Sequence, residues 1–418
     1  MNKIPEGWRK VKFGDVVNRV KDEESDRSKW TTDKYVGGQH FPEGEIRVTE
    51  YGSIEEDEWV IGSAFKVKFK PGDVLYVTRN PRLRKGGMVD FEGICSDVTY
   101  VLRADENQLL QSLLPFIIQT EDFVKHTCNN AHGSTNPFLN WKDIAKYEFY
   151  LPPLEEQKKI SEVLWSVEEN VKKLYNRTSN RELYKNKKIG QWITKGVDHN
   201  KYKDSKFGRI PKNWKVVRLS EIISEPLNNG INKDKQNFGF GTKFVNIIDN
   251  YCYDTIDVNK LGRMNVTKKE ERNYSLKEGD ITVVRSSVKP SGVGYPALFS
   301  GDKEPVVFCG FVIKIRPDKD KILPKYLLHF LRWKKTRKKV LEVAGVNAVT
   351  NINQNALNNI NIILPDRIEE QKQICDLIEK MDNQIHVLNN YLSLLKSLRN
   401  KLLNELLLGK LKLEGEND

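Results

Sequence analysis

The sequence is poor in cysteine and has no long apolar stretch. Its five cysteines, Cys95, Cys128, Cys252, Cys309 and Cys375, are scattered without any C-x-x-C pair, which argues against a disulfide framework and a structural zinc site. No run approaches the roughly 18–20 apolar residues that span a bilayer, and the N-terminus lacks the apolar core of a secretory signal. We therefore expect a cytoplasmic protein with reduced thiols and no membrane contact.

Catalytic signatures are missing as well. There is no G-x-x-x-x-G-K-[ST] loop to hold nucleotide phosphates. The segment Asn136-Pro137-Phe138 lacks the second proline of the Asn/Asp-Pro-Pro-aromatic motif of amino-methyltransferases, and the six histidines are dispersed without an H-E-x-x-H pair. These absences favour a binding protein with no catalytic residue, metal site or bound cofactor. An enzyme with diverged motifs is the alternative.

Positive charge is in excess. Sixty-nine lysines and arginines against 57 acidic residues give a formal net charge of +12, and the pI is about 9.2. A basic excess on an otherwise ordinary globular composition favours polyanionic partners, since cations neutralise phosphates and release their counterions. Nucleic acid is the partner class that this balance indicates.

The most informative feature is an internal repeat with a period of about 210 residues. Three blocks recur in order: Ile4–Trp8 as Ile210–Trp214, Pro71–Asp73 as Glu278–Asp280, and Leu151–Gln157 as Leu364–Gln371. The recurring blocks lie at the edges of each copy, whereas the interiors have diverged almost completely. If the interiors bind something, the two copies bind different things.

Each copy has the same predicted plan of short strands followed by helices. Segments rich in β-branched residues predict strands at Val74–Thr78, Val98–Leu102, Ile281–Val284 and Val306–Ile315. Helical patterns follow at 108–127 and 324–343. The predicted domains are two recognition domains at 1–150 and 198–363, a central spacer helix at 151–197 and a distal spacer helix at 364–418.

Each spacer helix carries a narrow apolar stripe at heptad spacing, here called the seam. The first seam consists of Ile160, Leu164, Val167, Val171 and Leu174. The second consists of Ile374, Ile378, Met381, Ile385, Leu388, Leu392, Leu395, Leu402 and Leu406, with Arg399 as its one exception. A helix with one narrow stripe packs on another helix, so the two predict a stiff coiled-coil spacer about 50 Å long. A hairpin that serves only as core or dimer interface is the alternative.

Loops after strands supply the candidate DNA contacts, because Arg, Asn and Gln can reach base edges while Ser and Lys bind phosphate. The first copy offers Gln39, His40, Arg79, Asn80, Arg82, Arg84, Lys85, Ser134 and Asn136. The second copy offers Asn246, Arg285, Ser286, Ser287, Lys289, Asn347 and Thr350. Solvated turns or strand-edge core positions are the alternative for each of these residues.

In combination these features resemble the specificity subunits of type I restriction-modification systems. The resemblance rests on the I-P-x-x-W blocks, the Gly-Asp turns, the loop Gly133–Pro137, the helix start Leu151–Gln157 and the junction Phe207–Pro211. Two departures stand out: Asp366 replaces the second proline of the second helix start, and the first seam turns polar after Thr178.

The resemblance implies an α+β fold with two target-recognition domains separated by two long antiparallel coiled-coil helices in pseudo-twofold arrangement. It implies a subunit that binds a bipartite, asymmetric site on double-stranded DNA. Two modification (methyltransferase) subunits and the restriction (helicase-nuclease) subunits would be its partners, and S-adenosylmethionine, ATP and Mg²⁺ would belong to them. A helical-hairpin adaptor that binds nucleic acid without sequence preference is the alternative function.

Overall fold

The computed structural model forms two compact units. The described residues are 4–57, 61–252, 255–344 and 350–411. The first unit takes those within Met1–Asn176 and Asn389–Asp418, and the second unit those within Arg177–Leu388. Both units combine sheets with helices, so the predicted α+β class is confirmed, and the predicted domain limits stay a prediction.

The first unit is built on two four-stranded sheets. Its strands are β1 (Arg9–Lys12), β2 (Val17–Val20), β3 (Lys34–Val36), β4 (Gly52–Ser53), β5 (Phe65–Phe69), β6 (Val74–Val77), β7 (Gly86–Met88), β8 (Gly93–Ser96), β9 (Thr99–Ala104) and β10 (Glu148–Leu151). Its helices are α1 (Phe13–Val16), α2 (Leu114–Ile117), α3 (Glu121–Asn129), α4 (Trp141–Ala145) and the start of α5 (Leu154–Lys195). The sheet orders are β2-β9-β6-β7 and β4-β3-β8-β5. Because all four residues of β6 are buried, it reads as a continuous apolar run without alternation.

The second unit repeats this plan with additions. Its strands are β11 (Tyr202–Ser205), β12 (Gly208–Pro211), β13 (Lys215–Arg218), β14 (Asn228–Asn229), β15 (Phe238–Val245), β16 (Gly262–Met264), β17 (Ile281–Val284), β18 (Ser286–Ser287), β19 (Pro296–Leu298), β20 (Val306–Phe308), β21 (Val312–Ile315), β22 (Thr350–Asn351) and β23 (Asn361–Leu364). Its helices are α6 (Lys268–Tyr274), α7 (Pro324–Arg332), α8 (Lys334–Val343), α9 (Gln354–Asn358) and the start of α10 (Ile368–Leu407). The sheet β14-β21-β17-β19 matches β2-β9-β6-β7, and β16-β15-β20 matches β4-β3-β8.

Three predicted elements are wrong in extent. The helix predicted at 108–127 is two helices, since Thr120 leaves helical geometry and its hydroxyl caps α3 by accepting the N–H of Phe123 at 3.3 Å. The helix predicted at 324–343 is also two helices, because the backbone leaves helical geometry at Trp333, where φ is −57° and ψ is 133°. The strand predicted at Val306–Ile315 is interrupted between β20 and β21, where the N–H of Val312 closes a turn on the carbonyl of Cys309.

The long helices pair antiparallel in each unit. In the first unit, Ile160 and Leu164 of α5 share a core with Leu403 and Leu406 of α10. In the second unit, Ile193 of α5 shares a core with Ile374 and Ile378 of α10. Later residues of one helix thus meet earlier residues of the other, as predicted. Both helices begin with acidic residues in the first turn, where carboxylates meet the positive end of the helix dipole.

Burial along the helices follows most of the predicted seam. Its buried members are Ile160, Leu164, Val171, Leu174, Ile374, Ile378, Met381, Ile385, Leu392 and Leu406. Its half-buried members are Val167, Leu388, Leu395 and Leu402. Beside the half-buried Val167 and Leu402, it is the next residue in each case, Glu168 or Leu403, that is buried. The spacer role of the seam residues stays a prediction.

Arg399, the exception in the seam, is buried in an ion-pair network within the first unit. Its guanidinium lies 2.8 Å from the carboxylate of Glu168 and 3.2 Å from that of Glu45, and it also donates to the carbonyl of Gly44 at 3.0 Å. Burial raises the pKa of Glu168, an effect that the positive charge of Arg399 opposes. The interruption of the apolar pattern is therefore a charge that bonds both the partner helix and a loop of the recognition domain.

Candidate nucleic-acid interface

The loop that follows β6 in the first unit has a defined shape. Asn80 and Arg84 adopt left-handed backbone conformations with φ of 50° and 51°, on either side of a 3-10 turn at Pro81–Leu83. The N–H of Asn80 donates to the carbonyl of Pro137 at 2.8 Å, and its side-chain amide donates to Oδ1 of Asn136 at 2.9 Å. Two of the predicted DNA-contacting loops, 79–85 and 133–138, are thereby joined.

A third predicted loop is bonded to the same place. The ammonium of Lys85 donates to the carbonyl of Gly38 at 2.7 Å, which brings Gln39 and His40 beside the loop after β6. Gln39 is exposed, whereas His40 is half-buried and its Nδ1 accepts the N–H of Gly37 at 3.1 Å. Burial holds the pKa of His40 below its ordinary value. Gln39 is therefore the exposed polar residue of this turn.

The side chains of this surface divide into outward and engaged groups. Arg79 and Arg82 are exposed, and the guanidinium carbon of Arg79 lies 5.2 Å from the ring centre of Phe138. Ser134 and Asn136 are exposed too. Arg84, in contrast, lies 2.6 Å from the carboxylate of Glu121. The first unit thus presents guanidinium, amide and hydroxyl groups from three loops that contact one another.

In the second unit, the predicted residues also come together around one loop. Ser286 and Ser287 pair antiparallel with Asn351 and Thr350, and the side chain of Ser286 bonds that of Asn351. Arg285 is half-buried, Lys289 is exposed and Thr350 is buried. Asn347 lies outside the described residues.

Asn246 plays a local role in the backbone. Its side-chain oxygen accepts the N–H of Ile247 at 2.8 Å and the thiol of Cys309 at 3.5 Å. Its own N–H donates to the carboxylate of Asp249 at 2.7 Å, and burial raises the pKa of that carboxyl group. The turn it begins is the counterpart of the turn that carries Gln39.

Backbone hydrogen bonds align the loops after β6 and β17 position by position. The carbonyl of Thr78 accepts the N–H of Leu139 at 3.1 Å, and the carbonyl of Arg285 accepts that of Ile352 at 3.0 Å. Thr78 therefore corresponds to Arg285, and the next two residues, Arg79 and Asn80, correspond to Ser286 and Ser287.

Two further bonds of the same kind extend the alignment. The N–H of Thr78 donates to Val98 at 3.0 Å, and that of Arg285 to Phe311 at 2.8 Å, so Val98 corresponds to Phe311. In the parallel strand pairs, Val36 lies opposite Cys95 and Val245 opposite Phe308. Three residues beyond each of these strand ends stands Gln39 in one unit and Ile248 in the other.

An apolar cleft that the sequence analysis missed lies at the second loop. Its volume is about 880 Å³, and its walls include Ile248, Tyr251, Val288 and Phe311. These side chains are 72%, 43%, 83% and 53% exposed. No periodicity marks them, since isoleucine, valine and phenylalanine in short strands ordinarily signal core. Only the alignment with the first unit would have pointed to them.

The recurring sequence blocks form the same contacts in both units. The indole N–H of Trp8 donates to Glu156 at 2.9 Å, and that of Trp214 donates to Glu370 at 3.0 Å. Each bond joins an I-P-x-x-W block to the start of a long helix. The strand pairs β1–β10 and β13–β23 lie beside these bonds in the chain.

The glutamine of each helix start and the aspartate of each Gly-Asp turn also behave alike. The side-chain oxygen of Gln157 accepts the N–H of Leu110 at 2.9 Å, and that of Gln371 accepts the N–H of Leu323 at 2.8 Å. The aspartates of the Gly-Asp turns each accept a bidentate pair of hydrogen bonds, Asp73 from Arg103 and Asp280 from Arg316. The repeated blocks are therefore structural, because they attach each recognition domain to its helix.

Two other classes of site, metal sites and membrane-spanning helices, have no candidate among the described residues. Within the described ranges, no group of three or more His, Cys, Asp or Glu side chains is placed to hold a metal ion. Across the same part of the chain, no helix combines the length and apolar character needed to cross a membrane.

Comparison with known proteins identifies the family. The family description "Type I restriction modification DNA specificity domain" matches residues 5–203 and 211–397. The chain is 25% identical over 435 residues to the "Type I restriction enzyme MjaVIII specificity subunit" of Methanocaldococcus jannaschii, covering 99% of this chain and 95% of that protein.

Solved structures share the fold. A chain described under "Structural basis underlying complex assembly and conformational transition of the type I R-M system" gives a TM-score of 0.61 at 18% identity, covering 98% of this chain and 100% of that one. The S subunit of a type I restriction-modification system from M. genitalium gives a TM-score of 0.51 at 12% identity, covering 97% of this chain and 98% of that one. Because the family match takes in both repeats and most of the sequence, the chain belongs to the family of type I restriction-modification specificity subunits, which are non-catalytic and recognise DNA sequence.

Proposed function

We propose that this chain recognises a bipartite, asymmetric DNA site, with the loops of the first unit contacting one half-site and those of the second unit the other. One observation carries the proposal: two units with the same scaffold contacts present different side chains at aligned positions of their outward loops. Arg79 and Asn80 correspond to Ser286 and Ser287. Two equal readers would favour a symmetric site, whereas two different readers favour an asymmetric one.

In the first unit, the outward groups match the polar edges of bases. Arg79 and Arg82 can donate to guanine, and the amides of Asn80 and Gln39 can pair with adenine. The hydroxyl of Ser134 and the amide of Asn136 suit contacts to phosphate, which position the protein without reading sequence. Arg84, Lys85 and His40 stay predicted contacts, although each bonds a protein group that shapes the loop.

In the second unit, Lys289 and Arg285 are the cationic groups of the aligned loop, and phosphate is the partner that their charge favours. Ser286, Ser287 and Thr350 supply hydroxyls beside them. Asn246 and Asn347 stay predicted base contacts. The net charge of +12 supports binding to a polyanion by the whole chain.

The long helices would set the distance between half-sites and carry the partners. On α10, the side chains of Tyr391, Leu394 and Leu398 are 57%, 66% and 48% exposed, and their spacing of three and four residues puts them on one helix face. We assign this face to the modification subunits, of which two would bind. Restriction subunits would join them in the cytoplasm, and S-adenosylmethionine, ATP and Mg²⁺ would be bound by those partners.

Selection from randomised duplexes tests the proposal. The chain assembled with its modification partner is incubated with random DNA, and the bound fraction is sequenced. We expect two short, unrelated motifs separated by a gap of fixed length. Recovery of one contiguous motif contradicts the proposal. Equal affinity for all duplexes, with a uniform dependence on salt, supports the non-specific adaptor instead.

Variants on the two loops sharpen the test. Arg79→Ala is expected to relax base preference in one half-site by about 1–3 kcal/mol per lost bidentate contact, and to leave the other half-site unchanged. Lys289→Ala is the matched control in the second unit: as a phosphate contact it should lower affinity for all duplexes and leave the base preference of both half-sites unchanged. If Arg79→Ala weakens both half-sites equally, Arg79 positions the DNA and does not read it.

A further inference from the structure

We propose that the apolar cleft of the second unit binds the C5 methyl groups of thymines, so that this half-site is read by apolar contact. The inference rests on the proposed DNA-reading function and specifies its chemistry for one unit. It comes from side chains that differ between aligned positions of the two units. Ile248 stands where the first unit has Gln39, and Phe311 stands where it has Val98.

The exposure of these side chains requires a partner. Ile248, Val288 and Phe311 are all more than half exposed, and they surround one cleft together with Tyr251. Large apolar side chains grouped on a surface mark a binding site, whereas single ones need no explanation. At the place of Ile248 the first unit has the exposed residue Gln39, so the two surfaces occupy the same position in the repeat.

The rim of the cleft favours DNA over a protein partner. Lys289 and Ser287 line it, and the hydroxyl of Tyr251 lies 3.5 Å from that of Ser287. Behind the cleft, Arg332 and Arg337 lie over the ring of Tyr295 and donate to backbone carbonyls. An apolar floor with the exposed ammonium of Lys289 at its rim matches a base edge flanked by phosphate.

The chemistry of the major groove selects thymine. Each base pair displays hydrogen-bond donors and acceptors there, and the thymine methyl is its apolar group. Isoleucine, valine and phenylalanine offer no hydrogen bond to distinguish the other bases. They discriminate by contact with the methyl group, and the serine hydroxyls nearby serve either base of a pair.

Deoxyuridine in place of thymine tests the inference, because it deletes only the methyl group. The assembled complex is titrated with its selected duplex, in which each thymine of the half-site assigned to the second unit is replaced in turn. We expect a loss of about four-fold in affinity for each methyl that is buried, as for one buried carbon group. The same replacement in the other half-site and in the gap serves as the control and should change affinity little.

Protein variants link the effect to the cleft. Ile248→Gln and Phe311→Val introduce the residues of the first unit. The deoxyuridine penalty should shrink toward none in Ile248→Gln and shrink less in Phe311→Val, which keeps a smaller apolar side chain. Selective binding with no deoxyuridine effect in the second half-site overturns the inference and leaves the proposed function standing. Loss of all selectivity among duplexes would overturn both. If Ile248→Gln instead weakens assembly with the modification partner and leaves base preference intact, the cleft binds protein and the inference fails.

Discussion

The two units agree where the chain repeats itself and differ where it faces outward. Trp8 and Trp214 make the same bond to a helix-start glutamate, and Gln157 and Gln371 make the same bond to a backbone N–H. At the loops after β6 and β17, the backbone bonds are shared but the side chains are not. A fixed backbone with interchangeable side chains can change its specificity without losing its fold.

The difference also separates two ways of recognising a base. The outward groups of the first unit donate or accept hydrogen bonds, whereas those of the second are largely apolar. A hydrogen-bonding site rejects a wrong base strongly because its polar groups are left unpaired. An apolar site discriminates by the smaller free energy of burying a methyl group. We therefore expect the first unit to tolerate mismatches less than the second.

The largest expected effect comes from removing a buried ion pair between the long helices of the first unit. Glu168 and Asp382 stand at the same distance in sequence after the helix-start glutamates that Trp8 and Trp214 bond. The pair of Arg399 with Glu168 in the first unit therefore has a counterpart in the second, where Lys185 lies 2.5 Å from Asp382 and is more exposed. Arg399→Ile leaves Glu168 buried without its cation, so we expect a loss of about 4 kcal/mol in the free energy of unfolding, measured by urea denaturation.

The matched control for Arg399→Ile removes both charges. The double variant with Glu168→Leu should recover most of the stability, since a buried ion pair replaced by apolar groups is nearly neutral. A single variant that loses less than about 1 kcal/mol would show that the network does not stabilise the first unit.

The seam shows what the sequence could and could not predict. The helix starts and most buried positions followed from the sequence pattern, because heptads constrain one face of one helix, whereas the antiparallel pairing was implied by the family resemblance. Arg399 was visible only as an exception, since its partner Glu168 is 231 residues away in the chain. No sequence pattern near either residue predicts this ion pair.

The sequence located the candidate DNA-contacting loops, but it did not predict which of their side chains are exposed. Polar residues after strands drew attention to Arg79 and Ser286, and the structure brings the loops of each unit together. The cleft was missed because Ile248 and Phe311 are typical of core. Their exposure depends on the alignment of two distant strands, which no local pattern encodes.

The second expected effect compares the two Gly-Asp turns. The side chain of Arg316 is 16% exposed and also pairs with Glu225 at 2.7 Å, whereas that of Arg103 is 35% exposed. Asp280→Asn should therefore cost about 3 kcal/mol of unfolding free energy, and Asp73→Asn about half as much. Urea denaturation of both variants checks the order. Equal losses would mean that burial does not distinguish the turns.

The third expected effect is the dependence on pH that His329 gives to the second unit. Burial lowers the pKa of His329 to about 4, while the unfolded imidazole titrates near 6.5. Between these values the unfolded chain binds a proton that the folded chain does not, so stability falls as the pH decreases from about 6.5. By pH 5 the loss from this group is about 2 kcal/mol. The charged groups around it are Lys185, Lys325, Arg332 and Asp382.

The first unit supplies the control for this titration. His329 of the second unit corresponds to Phe116 of the first. Each stands six residues after the residue whose N–H bonds the helix-start glutamine, Leu323 and Leu110 respectively. His329→Phe should reduce the difference in unfolding free energy between pH 7 and pH 5 by about 2 kcal/mol. An unchanged difference would assign the acid sensitivity to other groups.

The smallest expected effect decides whether Arg84 reads DNA or shapes its loop. Arg84→Gly removes an ion pair whose carboxylate partner is 62% exposed, which is worth little, and it relieves a left-handed backbone that glycine adopts freely. We expect unfolding free energy to change by less than about 1 kcal/mol, because the two contributions oppose each other. We also expect the slope of log affinity against log salt to stay the same, since Glu121 already neutralises the guanidinium. A slope lower by about one would show instead that Arg84 contacts a phosphate, and the engaged cations of the first unit would then belong to its DNA surface together with the exposed Arg79 and Arg82.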